Sequence, residues 1–291
     1  MKGLKDRTAI VTGASRGIGP YIARALAKEG ANLVLAARSA EALAKLAQEI
    51  TTEYEVQAVA VPTDLTDPSS QAALIEATER KFGGVDVLVN NAEILEIAHF
   101  ADEESSDLEG QIALNLTAPM LLTRRALPGM LARDRGHVVN VSSLVGKIDS
   151  KYLVAYASAK AGVISFSRSL RAELRDTGVS VSVVSPSAVD EVGMIEDWTR
   201  DTEAHAPRLL KRTSVSPDAV ARAVVRSIKR DKAEVLAAAP GSKFLTLSPR
   251  FGAWMLGATG LWAMMRQMAD HKSEASSADE RDETTRDTAA A

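Results

Sequence analysis

Cysteine is absent from this chain of 291 residues, which excludes disulfides, thiolate nucleophiles and sulfur-ligated metal centres and fits a reducing compartment. Histidine is scarce: the four present are scattered, with no HExxH or related spacing, so no metal centre is expected. Charge of one sign is lacking as well. A formal net charge of -3, with no dense block of Lys or Arg, offers nothing to attract a polyanion, and nucleic acid is not an expected partner. The apolar run FGAWMLGATGLWAMM at 251–265 would reach about 22 Å as a helix, short of the roughly 30 Å hydrocarbon core. The opening MKGLKDRTAIVTG enters a strand-like run almost at once and leaves no room for a signal peptide's apolar stretch, so the expected compartment is the cytoplasm.

What is present is a regular alternation. Short aliphatic runs at 8–13, 31–38, 56–64, 85–91, 136–143, 179–186 and 233–238 are separated by longer segments of helical periodicity. Runs that are apolar throughout, rather than at every second residue, belong to strands covered on both faces. Right-handed crossovers repeated in this way build a doubly wound parallel sheet, so the expected fold is α/β in a single domain. That domain is expected over 1–245, followed by an apolar helical extension at 246–269 and a tail at 270–291 whose Ser, Ala, Thr and charged residues predict disorder. The extension is expected to pack on the domain or on a partner subunit; the other reading lays 251–268 on a membrane surface with Trp254 and Trp262 at headgroup level.

Directly after the first run comes TGASRGIG, with Gly13, Gly17 and Gly19 leading into a helix near Pro20. Glycines here allow a tight turn and let a pyrophosphate approach the backbone, while the helix N-terminus offers N–H groups and the positive end of its dipole. The end of strand two distinguishes the cofactors. Users of the unphosphorylated dinucleotide usually place an acid there for the ribose hydroxyls; this chain has Ala37 and then Arg38. With Arg16 in the loop, two guanidinium groups can hold a 2′-phosphate, so NADP(H) is favoured over NAD(H); otherwise Arg38 is a solvated residue at a helix start. Asp64, at the end of strand three, is placed to accept a hydrogen bond from an adenine amino group or to cap the following helix.

In YASAK, Tyr156 and Lys160 are four residues apart and share one helix face. An ammonium beside a phenol lowers the tyrosine pKa and makes Tyr156 a candidate general acid and base for a carbonyl or an alcohol. Ser143, in VNVSS, is placed to orient the substrate oxygen, and Asn115, in ALNLTAP, to tie a water chain to the lysine. Taken singly, each residue has an ordinary reading: a polar pair on an amphipathic helix, or a serine closing a strand.

Together, TGASRGIG, LVNNA, ALN, VSS, YASAK and VSPSAV, in order between about residues 6 and 240, resemble the short-chain dehydrogenase/reductase family. The resemblance implies a Rossmann-like fold, an oxidoreductase acting on carbonyl and alcohol groups, a homodimer or homotetramer, and a catalytic set of Asn115, Ser143, Tyr156 and Lys160. It further implies a cofactor site at Gly13, Ser15, Arg16, Gly17, Ile18, Gly19, Arg38, Asp64, Leu65, Asn91, Ala92 and Val189, joined by Tyr156 and Lys160. The C-terminal extension resembles those of relatives that act on lipophilic alcohols and ketones.

Two departures stand out. The family usually has NNAG where this chain has NNAE, and PGxVxT where it has Pro186, Ser187, Ala188, Val189, Asp190 and Glu191. Glu93 and Glu191 therefore bring negative charge near an anionic ligand. At about 5 Å and an effective dielectric near 20, each such contact costs on the order of 3 kcal/mol if nothing compensates. A binding or regulatory protein on a retained scaffold is the alternative reading that follows.

Overall fold

Strands and helices alternate along the chain in the computed structural model, which describes residues 3–190, 214–239, 246 and 248–273. Seven strands form: β1 (Thr8–Thr12), β2 (Asn32–Ala37), β3 (Ala58–Pro62), β4 (Val87–Asn90), β5 (Gly136–Val141), β6 (Val179–Pro186) and β7 (Glu234–Ala237). Each lies within one of the seven aliphatic runs. All their pairings are parallel, in the order β3-β2-β1-β4-β5-β6-β7, so the order reverses between β1 and β4. Ligands of doubly wound sheets bind in the crevice at such a reversal.

The strands are apolar on both faces because both faces are covered. Ala9 and Val11 of β1 and Leu33 and Leu35 of β2 point into one core, which helices α1 (Gly19–Lys28), α2 (Ala40–Tyr54) and α7 (Pro217–Lys229) close. Ile10, Val34 and Ala36, one residue out of step, point into the other, beneath α3 (Pro68–Phe82) and α5 (Ala118–Ala132). The period of two along a strand turns every second side chain to the opposite face.

The remaining helices build the site. A short α4 (Ser105–Ile112) runs through a π-helical turn (Ala113–Thr117) into α5, and α6 (Val154–Glu173) follows a 3₁₀ turn (Leu144–Lys147) after β5. The C-terminal extension forms α8 (Pro249–Gly257) and α9 (261–273). On α9, Leu261, Met264, Met265 and Ala269 are buried at helical spacing against Ile97, Leu144, Ile148, Leu153 and Tyr156. This half of the extension is therefore packed on the domain, whereas α8 leaves Trp254 67% and Phe251 46% exposed. No described helix is long and apolar enough to cross a membrane.

One boundary moves. A disordered tail was expected from Asp270, but 270–273 continue α9, where Asp270 meets His99 at 2.7 Å and Lys272 meets both Glu96 and Asp107 at 2.8 Å. These partners come from a segment more than 160 residues earlier, so local composition carried no sign of them. The rest of the expected tail, 274–291, lies outside the described residues, as does Glu191.

Candidate active site

At the C-terminal edge of the sheet, the glycine loop has the local geometry its residues imply. Gly13 and Gly17 adopt positive φ, +64° and +62°, a region that costs an ordinary L-residue about 1–2 kcal/mol. Gly19 is required for a different reason: a Cβ there would lie 2.1 Å from the Gly13 carbonyl oxygen, so only glycine lets the first turn of α1 rest on the loop. A Cβ on Gly17 would meet nothing within 4 Å, which leaves an open cradle at the helix start. Ser15 and Ile18 are half-buried beside it, and Arg16 is exposed.

Thr12 fastens this loop to β4. Its Oγ1 donates to the Val89 carbonyl (3.3 Å) and accepts from the N–H groups of Asn91 (2.9 Å) and Ala92 (3.1 Å), while Asn91 Nδ2 donates to the Thr12 carbonyl (3.0 Å). Asn91 Oδ1 is buried without a partner. A buried acceptor left open is costly in a finished core; beside an open glycine cradle it suits a ligand that donates a hydrogen bond.

Arg38 stands exposed just past β2, and Asp64 past β3. The Asp64 carboxyl is held below the usual carboxylate range, first by hydrogen bonds from Thr66, whose N–H and hydroxyl donate to Oδ1 at 2.9 and 2.7 Å; the Arg38 guanidinium adds to the effect. Asp64 does not cap the following helix. Asp67 does, accepting from the N–H groups of Ser69 and Ser70. Leu65 is buried in the core beneath α3 and α5, and Val189 pairs with Val215 in an isolated parallel bridge.

On α6, Tyr156 and Lys160 share the buried face, 6% and 1% exposed. A buried ammonium needs partners, and Lys160 Nζ has two: the Val141 carbonyl at 3.1 Å and Glu93 Oε2 at 2.6 Å. The same Glu93 oxygen accepts the Tyr156 hydroxyl at 3.0 Å. Burial pushes the Tyr156 phenol well above its ordinary pKa, and the Glu93 carboxylate raises it further by charge and by hydrogen bond; the Ser143 hydroxyl acts weakly in the opposite sense. The expected lowering of the tyrosine by Lys160 is thus not what this arrangement gives: burial acts first in the opposite direction, and the Glu93 carboxylate adds to it.

Ser143 caps the 3₁₀ turn, its Oγ accepting from Val145 N–H at 3.4 Å. Asn115 lies in the π-helical turn, where one extra residue per turn re-aims a side chain. Its side chain is bonded to the backbone of Ile94. Its Nδ2 donates to the Ile94 carbonyl (2.7 Å) and its Oδ1 accepts from Ile94 N–H (3.0 Å). Behind the site, Asn90 donates to Thr123 and to Asn140, and Asn140 donates to Ser167. A small cleft is lined by Thr12, Leu65, Ala92, Asn115 and Lys160. The sequence had flagged Glu93 as foreign to the motif without placing it in this centre, and it carried no sign of the Thr12 fastening or of the α9 wall. Among the described residues, no cluster of His, Asp and Glu is arranged to hold a metal ion.

The short chain dehydrogenase family model matches residues 7–203. The chain is 40% identical over 236 residues to the ketoacyl reductase HetN of Nostoc sp., covering 81% of this chain and 80% of that protein. A metagenomic short-chain oxidoreductase in complex with NADP superimposes with a TM-score of 0.68 at 34% identity, covering 80% of this chain and 96% of that one. A short-chain dehydrogenase/reductase from Burkholderia phymatum in complex with NAD gives 0.73 at 25%, over 81% and 90%. With the seven-stranded parallel sheet, the glycine loop and the Tyr156–Lys160 face already in view, these likenesses make the chain a member of the short-chain dehydrogenase/reductase family, and an oxidoreductase.

Proposed function

We propose that the protein is an NADP(H)-dependent oxidoreductase that interconverts a ketone or aldehyde with an alcohol, Tyr156 carrying the proton. The observation that carries this reading is the meeting of the Tyr156 hydroxyl, Ser143 and Lys160 beside the crevice at the β1–β4 reversal. The open space over Gly17 and the unpartnered Asn91 Oδ1 fit a dinucleotide lying across it. When bound, the nicotinamide supplies or accepts the hydride.

The chain's own residues do the rest. Gly13, Ser15, Arg16, Gly17, Ile18 and Gly19 hold the pyrophosphate at the start of α1, and Arg16 and Arg38 take the 2′-phosphate. Asp64 and Leu65 receive the adenine, while Asn91, Ala92 and Val189 border the nicotinamide side. Ser143 holds the substrate oxygen in place, Tyr156 gives it a proton or removes one, and Asn115 fixes the loop that faces them. The apolar wall of Leu261, Met264 and Met265 next to Tyr156 favours a lipophilic substrate, and a homodimer or homotetramer is the proposed assembly.

Tyr156→Phe is expected to retain NADPH binding and to lose about 10²–10⁴-fold in turnover of ketones; unchanged turnover would overturn the assignment. Arg38→Glu is expected to cut the preference for NADPH over NADH by at least about tenfold, equivalent to one lost charge-assisted contact. The contact of Glu93 with Lys160 favours one second reading, a binding or regulatory protein with an impaired cofactor site. Calorimetry with both dinucleotides separates the two: NADPH binding supports the enzyme, and failure of both to bind supports the alternative.

A further inference from the structure

Glu93 is held in place from both sides. Ala92 N–H before it is bound to Thr12 Oγ1 at 3.1 Å, and Ile94 after it is bound through N–H and carbonyl to Asn115, at 3.0 and 2.7 Å. The backbone on both sides of the carboxylate is therefore held, and the contacts of the carboxylate itself set its direction. One oxygen, Oε2, reaches both Lys160 Nζ at 2.6 Å and the Tyr156 hydroxyl at 3.0 Å. Lys160 is almost wholly buried, at 2% side-chain exposure, whereas Glu93 is 40% exposed and touches solvent.

We propose that Glu93 is a positioning residue of the proton-transfer pair: it occupies the Lys160 ammonium and accepts the Tyr156 hydrogen, which fits the centre to protonate a carbonyl oxygen rather than to deprotonate an alcohol. The inference rests on the oxidoreductase reading above and adds a direction to it.

The chemistry runs as follows. An ammonium assists a neighbouring phenol to ionise only while its charge is available to the phenolate. Here the carboxylate neutralises it, and a phenolate at Tyr156 would face a second negative charge across a single hydrogen bond. The neutral phenol is the favoured form, in keeping with its raised pKa. In reduction, the Tyr156 O–H bond breaks, its proton forms the alcohol O–H, and the carbonyl carbon receives the hydride. The phenolate left behind recovers a proton from solvent on the side that Glu93 opens. Oxidation needs the phenolate first and is pushed to higher pH.

Among the described residues, other charges on the neighbouring elements are paired elsewhere. Lys147 of the 3₁₀ turn is bound to Glu234 of β7, which also holds Arg168 of α6. Glu96 and Asp107 hold Lys272, Gln111 donates to Glu103, and His99 holds Asp270. Tyr152 packs edge-on against His99.

The test reads Tyr156 directly. The chain has four tyrosines, so phenolate ultraviolet absorbance is titrated in the cofactor-free protein and in its Tyr156→Phe form, and the difference isolates one ring. The same pair is made on Glu93→Gln and Glu93→Gly backgrounds, with near-ultraviolet circular dichroism at neutral pH as the check on folding. The expected result is a Tyr156 midpoint lower by about one pH unit or more in both Glu93 variants. The rise of alcohol oxidation with pH should move down by the same amount.

A midpoint unmoved in folded Glu93→Gln overturns the inference whatever the activity, as does a wild-type Tyr156 that ionises below free tyrosine. If the midpoint moves while neither wild type nor variant turns over any carbonyl compound with NADPH, the inference about Glu93 stands and the NADPH-dependent reading fails.

Discussion

The docking of α9 gives a quantitative test of how the substrate side is built. Two kinds of contact hold the helix. Met264 and Met265, 4% and 3% exposed, are buried in the cluster that contains Tyr156. Lys272 is ion-paired with Glu96 and Asp107, but all three side chains are between a third and two-fifths exposed. Truncating a buried methionine to alanine costs about 2–5 kcal/mol, whereas a pair this exposed contributes about 0.2–1 kcal/mol after screening. Met265→Ala should therefore release α9 far more readily than Lys272→Met. In hydrogen exchange followed by mass spectrometry, protection over 261–273 is expected to fall about thirtyfold or more in Met265→Ala, the equivalent of about 2 kcal/mol. For Lys272→Met the fall should stay below about fivefold on the same scale. If substrates are apolar and lie along this wall, KM for them rises in Met265→Ala while NADPH affinity holds. Equal loss of protection in the two variants, or none in Met265→Ala, would refute the claim that apolar burial docks the helix.

Two further outcomes follow. Gly19→Ala places a Cβ against the Gly13 carbonyl and Ala14 Cα, both backbone atoms that cannot swing aside; dinucleotide affinity measured by fluorescence titration should fall at least about a hundredfold, roughly 3 kcal/mol, and wild-type affinity would count against the packing described. His137 lies fully buried beside Ser182, and desolvation holds its pKa down at about 4, against 6.5 when free. It is neutral in the fold but gains a proton in the unfolded chain below pH 6.5, so its contribution is intact above that pH and declines as pH falls toward 4. The full loss is about 3 kcal/mol, and denaturant unfolding of His137→Asn should lack this part of the pH dependence.

Much of the architecture was legible because one physical signal repeats. Strands covered on both faces must be apolar throughout, and each of the seven runs holds one. The glycine loop and the four-residue spacing of Tyr156 and Lys160 are equally local, since a turn and a helix face are set by neighbours in the chain. What the sequence could not give depends on distant partners. Glu93 stood out as an exception to a motif, but the residue after it, Ile94, is held by Asn115, 21 residues further on, from a π-helical turn that no periodicity announces. The extension at 251–268 was expected to pack on the domain or on a partner subunit, with a membrane surface as the other reading, because an apolar stripe does not name its partner. Asp64 and Asp67 both precede α3, and only backbone geometry distinguishes the one that caps it.

The Thr12 hydroxyl bears on a different question, that of adaptability. It sits where the strand order reverses, and four bonds through or beside it join β1 to Val89 of β4 and to the two residues that follow that strand. Prising the two strand ends apart would break these bonds together, so the floor of the crevice behaves as a welded joint. Compliance is then left to the α9 wall, which side-chain burial and exposed ion pairs hold. Enlarging the range of substrates accepted is a matter of redesigning that wall, with the floor kept as a fixed datum against which the reacting atoms are aligned.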